Sequence, residues 1–251
     1  VNCVQPSCYT TASTFYGPSS LLRILNVAPG AANPHISLFQ NNVNPNISVT
    51  IDPGATSAES DDTYTVSYVA NSLSYTQTFS GFTSGNDGLG QTKVALGDQN
   101  GFSNSLWIYD VSSALSGSLD YVQIAEFNRQ STSTQFHNGY VAYGRQTAAA
   151  DMPTSGSATY KGGTRGIYRT IDGTQAYYTA SDIKMNANFG TGAITGNTSN
   201  FRFLNINGGS ATRSENIDFI FSANIASGTS TFSGTALTGS ISGGSIGISG
   251  N

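Results

Sequence analysis

Charge is scarce in this chain. Charged residues are 10% of its 251 residues, and the formal net charge is -4. The few basic residues are spread singly, so they offer no stripe on which a phosphate backbone could dock, and nucleic-acid binding is not expected. No apolar run approaches the roughly 18 residues that a membrane-spanning helix needs, and Val1 does not open a signal peptide. These absences indicate a mature or trimmed secreted chain.

Helix formers are also sparse, whereas turn and strand formers are abundant. The chain holds Gly 29, Tyr 13 and Phe 13, and Ser, Thr and Asn are frequent. This composition predicts an all-β fold of short strands and tight turns. The length suffices for one large β unit or two modest ones. A break in the pattern at 148–153 favours two domains, 1–150 and 151–251.

Period-2 alternation of apolar and polar residues gives strand candidates in both halves, irregularly spaced in the first and regularly spaced in the second. The predicted strands are 21–27, 36–39, 47–51, 64–69, 73–79, 92–96, 105–109, 119–127, 140–143, 157–161, 165–171, 176–181, 183–189, 193–198, 201–206, 217–225, 229–237 and 240–248. Roughly eight or nine antiparallel strands in the second half predict a barrel. One face of the run Ile217, Phe219 and Phe221 is expected to fill its interior.

One stretch carries a resemblance to a known family. Tyr140-Val141-Ala142-Tyr143-Gly144 is followed by a Thr/Ala linker, by Met152-Pro153, and by Gly156, Ala158, Tyr160 and Gly162 at alternate positions. This order resembles the junction in transferrin-binding-protein-like surface proteins of bacteria. The resemblance implies a β-rich handle region followed by an antiparallel eight-stranded β-barrel. It also implies a non-enzymatic protein at the bacterial cell surface or outside the cell, which binds an iron-carrying or haem-carrying partner.

The two cysteines, Cys3 and Cys8, flank Pro6. In an exported chain we expect them to form a small disulfide loop, because no other thiol competes, whereas a metal site would need further ligands. Such a loop would pin the terminus. Members of the resembled family are usually lipid-anchored through a terminal cysteine, but here Val1 precedes Cys3, so membrane anchoring stays open.

His35 and His137 are the candidate haem ligands, because some secreted relatives of the resembled family carry haem and axial ligation requires a histidine beside an apolar pocket. The alternative is a solvated loop histidine in each case. No carboxylate pair has a spacing typical of acid-base catalysis. The Gly-x-Ser-x-Gly pattern around Ser245 is not followed by a helix, so no enzymatic activity is expected. No metal site is predicted either.

Phe15-Tyr16-Gly17-Pro18 matches a sequence that closes barrels of the resembled family, although here it lies near the beginning of the chain. It gives a second hypothesis, in which 14–20 adds a strand to a barrel edge of its own or of the next subunit. Head-to-tail donation of strands would build an extracellular fibre or surface layer. An ordinary terminal strand is the alternative. The two function hypotheses are therefore a surface binding protein and a self-assembling structural subunit.

Overall fold

The computed structural model describes residues 12–16, 19–25, 35–38, 47–54, 61–70, 73–86, 91–99, 102–109, 122–132, 135–144, 147–169, 176–205, 218–238 and 245–250. Nearly all of them lie in strands, which confirms the predicted all-β fold. In chain order the strands are β1 (Ser13–Tyr16), β2 (Ser19–Leu25), β3 (His35–Leu38), β4 (Ser48–Asp52), β5 (Thr63–Ala70), β6 (Leu73–Phe79), β7 (Thr83–Asn86), β8 (Gln91–Gln99), β9 (Phe102–Tyr109), β10 (Val122–Thr132), β11 (Gln135–Gly144), β12 (Ser157–Arg169), β13 (Ala176–Asn188), β14 (Ala193–Asn205), β15 (Phe219–Ile225), β16 (Phe232–Thr238) and β17 (Ser245–Gly250). Within these ranges, no helix has the length and apolarity needed to cross a membrane.

The first half forms two antiparallel sheets that share one core. A four-stranded sheet has the order β1-β4-β5-β6, and a seven-stranded sheet has the order β3-β2-β11-β10-β9-β8-β7. Along β5, Tyr64, Val66 and Tyr68 are buried and alternate with partly exposed residues, as expected for a strand with one face on a core. They pack against side chains from the second sheet, such as Leu106 and Phe127. The result is a β-sandwich.

The second half forms a six-stranded antiparallel meander, β12-β13-β14-β15-β16-β17. Phe221, Ala223 and Ala236 are buried on one face with Ala187 and Ile194. Phe219 packs against the same cluster, whereas Ile220, between the two phenylalanines, is 64% exposed. The predicted alternation is therefore confirmed for the part of that run that is described, and Ile217 lies outside it.

The described part of the second half holds six strands, fewer than the eight predicted, because several predicted strands merge. The segments 176–181 and 183–189 were expected as two strands but form one, β13, with a β-bulge between Ala180 and Asp182 in its pairing with β14. The segments 193–198 and 201–206 likewise merge into β14, and the segments 157–161 and 165–171 merge into β12. At this bulge Asn200 and Phe201 of β14 lie opposite Ser181 alone, so both strands continue through a turn-like composition. Among the described residues no pairing joins β12 to β17, so closure of the sheet is not seen.

A short 3-10 helix, Ala149–Asp151, lies between β11 of the seven-stranded sheet and β12 of the meander in chain order. No residue of this helix is buried. The linker expected at 148–153 is therefore the place where the chain passes from one sheet to the other. The division into domains 1–150 and 151–251 stays a prediction.

Candidate binding surface and polar clusters

The two candidate haem ligands lie on strands, not in loops. His137 is in β11 and is only 1% exposed, and its Nδ1 lies 3.3 Å from the hydroxyl oxygen of Tyr68. His35 is the first residue of β3, and its side chain is outside the described set. The structure brings His137 into the sandwich core and gives no geometry for His35. Haem ligation by either residue stays a prediction.

The segment expected to donate a strand is paired within its own chain. Phe15 and Tyr16 lie in β1, antiparallel to β4, where Phe15 is opposite Val49 and Tyr16 is opposite Ser48. Phe15 is buried in the sandwich core. The structure thus places this strand on the sandwich and not on an edge of the meander, because an inward-facing aromatic residue gains more from the core than from solvent. Gly17 and Pro18, like Cys3 and Cys8, lie outside the described residues.

A buried carboxylate occupies the outer face of the seven-stranded sheet. Glu126 in β10 is 4% exposed. It accepts a hydrogen bond from the hydroxyl of Tyr109, and Asn138 Nδ2 donates to Glu126 Oε1 at 2.6 Å. The amide of Asn128 donates to the same oxygen at 3.3 Å. Tyr140, opposite Glu126 in β11, completes what we call the carboxylate cluster. A buried charge is tolerated where hydrogen bonds of this kind replace its hydration.

The meander covers this cluster. Arg165 of β12 places its guanidinium carbon 4.1 Å from the ring centroid of Tyr109. Burial, followed by the nearby Glu126 charge, raises the pKa of Tyr178 in β13. The same two causes, in the same order, raise the pKa of Tyr140 well above its ordinary value. Both phenols therefore stay protonated at neutral pH and can donate hydrogen bonds.

A second cluster of polar residues lies inside the sandwich, near the end of β5 and the start of β6. Arg129 is half-buried in β10, and its guanidinium carbon lies 4.7 Å from the ring centroid of Tyr75. Arg129 Nη1 lies 3.5 Å from the hydroxyl oxygen of Tyr68, which also contacts His137. Burial raises the pKa of Tyr68 and of Tyr75, so both are neutral at physiological pH. We call Arg129, Tyr68, Tyr75 and His137 the arginine cluster.

The outer face of the seven-stranded sheet also carries an apolar patch, which consists of Val94, Leu96 and Trp107. Val94 is directly opposite Trp107 in the pairing of β8 with β9, and Leu96 is opposite Ser105, so all three share one face. Leu96 is 78% exposed, and the other two are half-buried. Trp107 is in turn opposite Glu126, so the patch adjoins the carboxylate cluster.

The Met152-Pro153 turn noted in the sequence lines a groove of about 330 Å³ at one end of the meander. The opposite wall is formed by turn residues 190–192 and 225–229. No lining residue is charged.

Sequence patterns missed both polar clusters. Glu126 and Arg129 fall in the predicted strand 119–127 or just beyond it, and nothing in their local pattern marks either as buried. The only signal was a charged residue within an otherwise alternating strand, at positions that could equally have faced solvent. The register with the neighbouring strands determines the surroundings of Glu126, because it brings Asn138, Tyr140 and Tyr109 to that one carboxylate.

Comparison with known proteins gives little beyond the geometry. No protein-family model matches the chain, and no curated protein matches it. Among solved structures the chain is similar to a double mutant of the vaccine antigen Transferrin Binding Protein B from Haemophilus parasuis Hp5, at 13% identity and a TM-score of 0.38, over 96% of this chain and 70% of that chain. A single mutant of the same antigen gives 13% identity and a TM-score of 0.25, over 96% and 69% of the two chains. The likeness is distant, and these scores do not establish a family.

Proposed function

We propose that this chain is a non-enzymatic binding protein of the bacterial surface or extracellular space, and that the apolar patch is where it recognises a protein partner. The observation that carries the proposal is the 78% exposure of Leu96 on a regular sheet face beside Trp107. Contiguous apolar side chains on a solvent-exposed face mark interaction sites, and tryptophan is enriched among the residues that dominate binding energy.

The surroundings of the patch support this role. The carboxylate cluster and the meander hold the neighbouring part of the same sheet face, so the patch is presented on a rigid support. Preorganised surfaces lose less conformational entropy on binding. The polar groups of the adjoining carboxylate cluster are engaged in hydrogen bonds within the fold, and Leu96 is the most exposed large apolar side chain among the described residues.

The finer proposal is that the partner carries iron or haem. Its support is the resemblance at Tyr140–Gly144, Met152-Pro153 and the alternate positions from Gly156 to Gly162. Direct haem binding through His35 is part of the same proposal. A haem titration that gives a Soret band in the wild type and none in His35→Ala would support it, whereas the absence of a band in the wild type would exclude haem. The proposed disulfide between Cys3 and Cys8 removes two hydrogen atoms from the chain, so the oxidised protein is about two mass units lighter than the reduced one, and intact mass measurement with and without reductant detects the difference.

The test of the binding proposal uses immobilised protein and iron-loaded transferrin-like or haem-carrying proteins as probes. Leu96→Asp places a charge in the patch and should weaken binding by roughly tenfold or more, as expected for a central contact residue. Ile220→Asp is the matched control, because Ile220 is 64% exposed on the meander. It should bind as the wild type does. Equal binding by Leu96→Asp would refute the patch, and no binding by any probe would remove the iron or haem partner.

Self-assembly has less support than partner binding as the main function of this chain. Its donor segment is already paired with β4, and Phe15 is in the core, so strand exchange would first have to open the sandwich. Light scattering across a concentration series tests it directly. Large species that vanish when the residues before Leu21 are deleted would restore it.

A further inference from the structure

The arginine cluster holds a cation whose hydrogen-bonding capacity is mostly unused. A guanidinium has five N–H donors in a fixed plane. For Arg129 the described residues supply one contact at the limit of hydrogen-bonding distance, 3.5 Å from the Tyr68 hydroxyl, and one aromatic face. No ion pair with a carboxylate is recorded for it within the described ranges. A half-buried cation without a counter-charge is costly, which makes an anionic ligand favourable here.

The cluster also fixes the orientation of that guanidinium. Tyr68, Tyr75 and Phe127 form an aromatic stack, with centroid distances of 5.1 Å between the two tyrosines and 5.2 Å between Tyr68 and Phe127. The ring of Tyr75 lies under the guanidinium. An arginine held on an aromatic face keeps its planar fork pre-aligned, so less rotamer freedom is lost when two parallel hydrogen bonds form.

The neighbouring groups are donors or neutral. The Tyr68 hydroxyl contacts both Arg129 and His137, which is opposite Arg129 in β11. On the other side Asn104 is opposite Arg129 in β9, and its amide nitrogen donates to Gln77 Oε1 at 2.9 Å. No Asp or Glu is among these neighbours. An incoming anion therefore meets the partly exposed Arg129 cation, with the buried Tyr68 hydroxyl beside it and no competing negative charge in the described part of the sandwich.

We propose that Arg129, with the Tyr68 hydroxyl beside it, forms a carboxylate-binding site at the β5–β6 end of the sandwich. The fork of a single guanidinium matches the two oxygens of a planar carboxylate in a bidentate arrangement. The ligand is a free small carboxylate or the acidic side chain of a peptide, and both present the same chemistry. The site is separate from the apolar patch, because Arg129 faces the sandwich core with Phe127 and the patch lies on the opposite sheet face.

The experiment is a titration of the folded full chain with sodium acetate, followed by amide chemical shifts and with ionic strength held constant by sodium chloride. We expect saturable shifts centred on Arg129, Tyr68 and His137. Arg129→Gln should weaken the apparent affinity by roughly tenfold or more, since it removes the charge and the fork. Arg202→Gln, at an exposed arginine of β14, is the matched control and should leave the affinity unchanged.

A second variant keeps the test valid if Arg129→Gln fails to fold. Tyr68→Phe removes one hydroxyl and retains the ring, and we expect it to weaken acetate binding by about threefold. A capped Gly-Asp-Gly peptide then distinguishes the sources, because tighter binding than acetate indicates an acidic side chain and equal binding indicates a free carboxylate. Shifts that do not saturate, that persist unchanged in both variants, or that chloride reproduces would overturn the proposal. So would inorganic phosphate that binds tenfold more tightly than acetate.

Discussion

Removal of the Glu126 carboxylate should destabilise the fold more than any surface substitution. Glu126→Ala removes the carboxylate that accepts from the Tyr109 hydroxyl and one of the two acceptors of the Asn138 amide, which also donates to Asn128 Oδ1 at 2.7 Å. Asn138 is 0% exposed, so water does not replace the lost bond. Hydrogen bonds to a charged group contribute about 1.5–3 kcal/mol each, and a buried donor left unsatisfied costs a similar amount. The Asn128 bond is longer and half-buried, and we neglect it. We expect a loss of about 2–4 kcal/mol in the free energy of unfolding, because the Asn138 amide keeps its bond to Asn128.

Urea unfolding measures this loss through Trp107 fluorescence. Trp107 is the single tryptophan of the chain and is directly opposite Glu126. Glu126→Gln keeps the volume and one acceptor oxygen but presents an amide to donors, so it should cost about 1–3 kcal/mol. Asp151→Asn is the matched control at an exposed carboxylate and should change stability by less than about 0.5 kcal/mol. If Glu126→Ala unfolds within that same margin of the wild type, the carboxylate cluster does not hold the sheet face as argued.

Two further predictions concern packing and pH. A Cβ built at Gly139 lies 2.2 Å from the ring of Phe127, so Gly139→Ala should cost about 1–3 kcal/mol by urea unfolding, whereas Gly166→Ala, where the nearest atom is 3.6 Å away, should be neutral or slightly stabilising. Equal effects of the two substitutions would contradict the packing argument. The raised pKa of Tyr140 and of Tyr178 means that the unfolded chain loses its phenolic protons near pH 10 while the folded chain keeps them. The stabilisation from these two tyrosines is therefore fully present below about pH 10. Above it the free energy of unfolding decreases as the pH rises, by up to about 1.4 kcal/mol per pH unit for each tyrosine. Tyr178→Phe should make that alkaline fall shallower, and an unchanged slope would show that Tyr178 is not buried against the carboxylate cluster.

Several strands could be predicted because their pattern is local. Tyr64, Val66 and Tyr68 alternate with polar residues, and any sheet with one buried face requires that alternation. Phe219 and Phe221 were predicted to share one buried face for the same reason, because they alternate with Asp218 and Ile220. The merging of predicted strands into β13 and β14 could not be foreseen, because the β-bulge at Asn200 and Phe201 depends on the register between the two strands.

The amino-acid sequence by itself determined the all-β class, since low charge, few helix formers and period-2 alternation leave no amphipathic helix to form. Only the tertiary structure decided which side chains meet. The sequence left open whether Phe15 and Tyr16 form a donated strand or an ordinary terminal strand, and the structure pairs them with β4. Glu126 and Arg129 are three residues apart and lie on opposite faces of β10, where one joins the meander and the other the sandwich core. Strand register brings together residues that are distant in sequence, and a local pattern carries no information about that register.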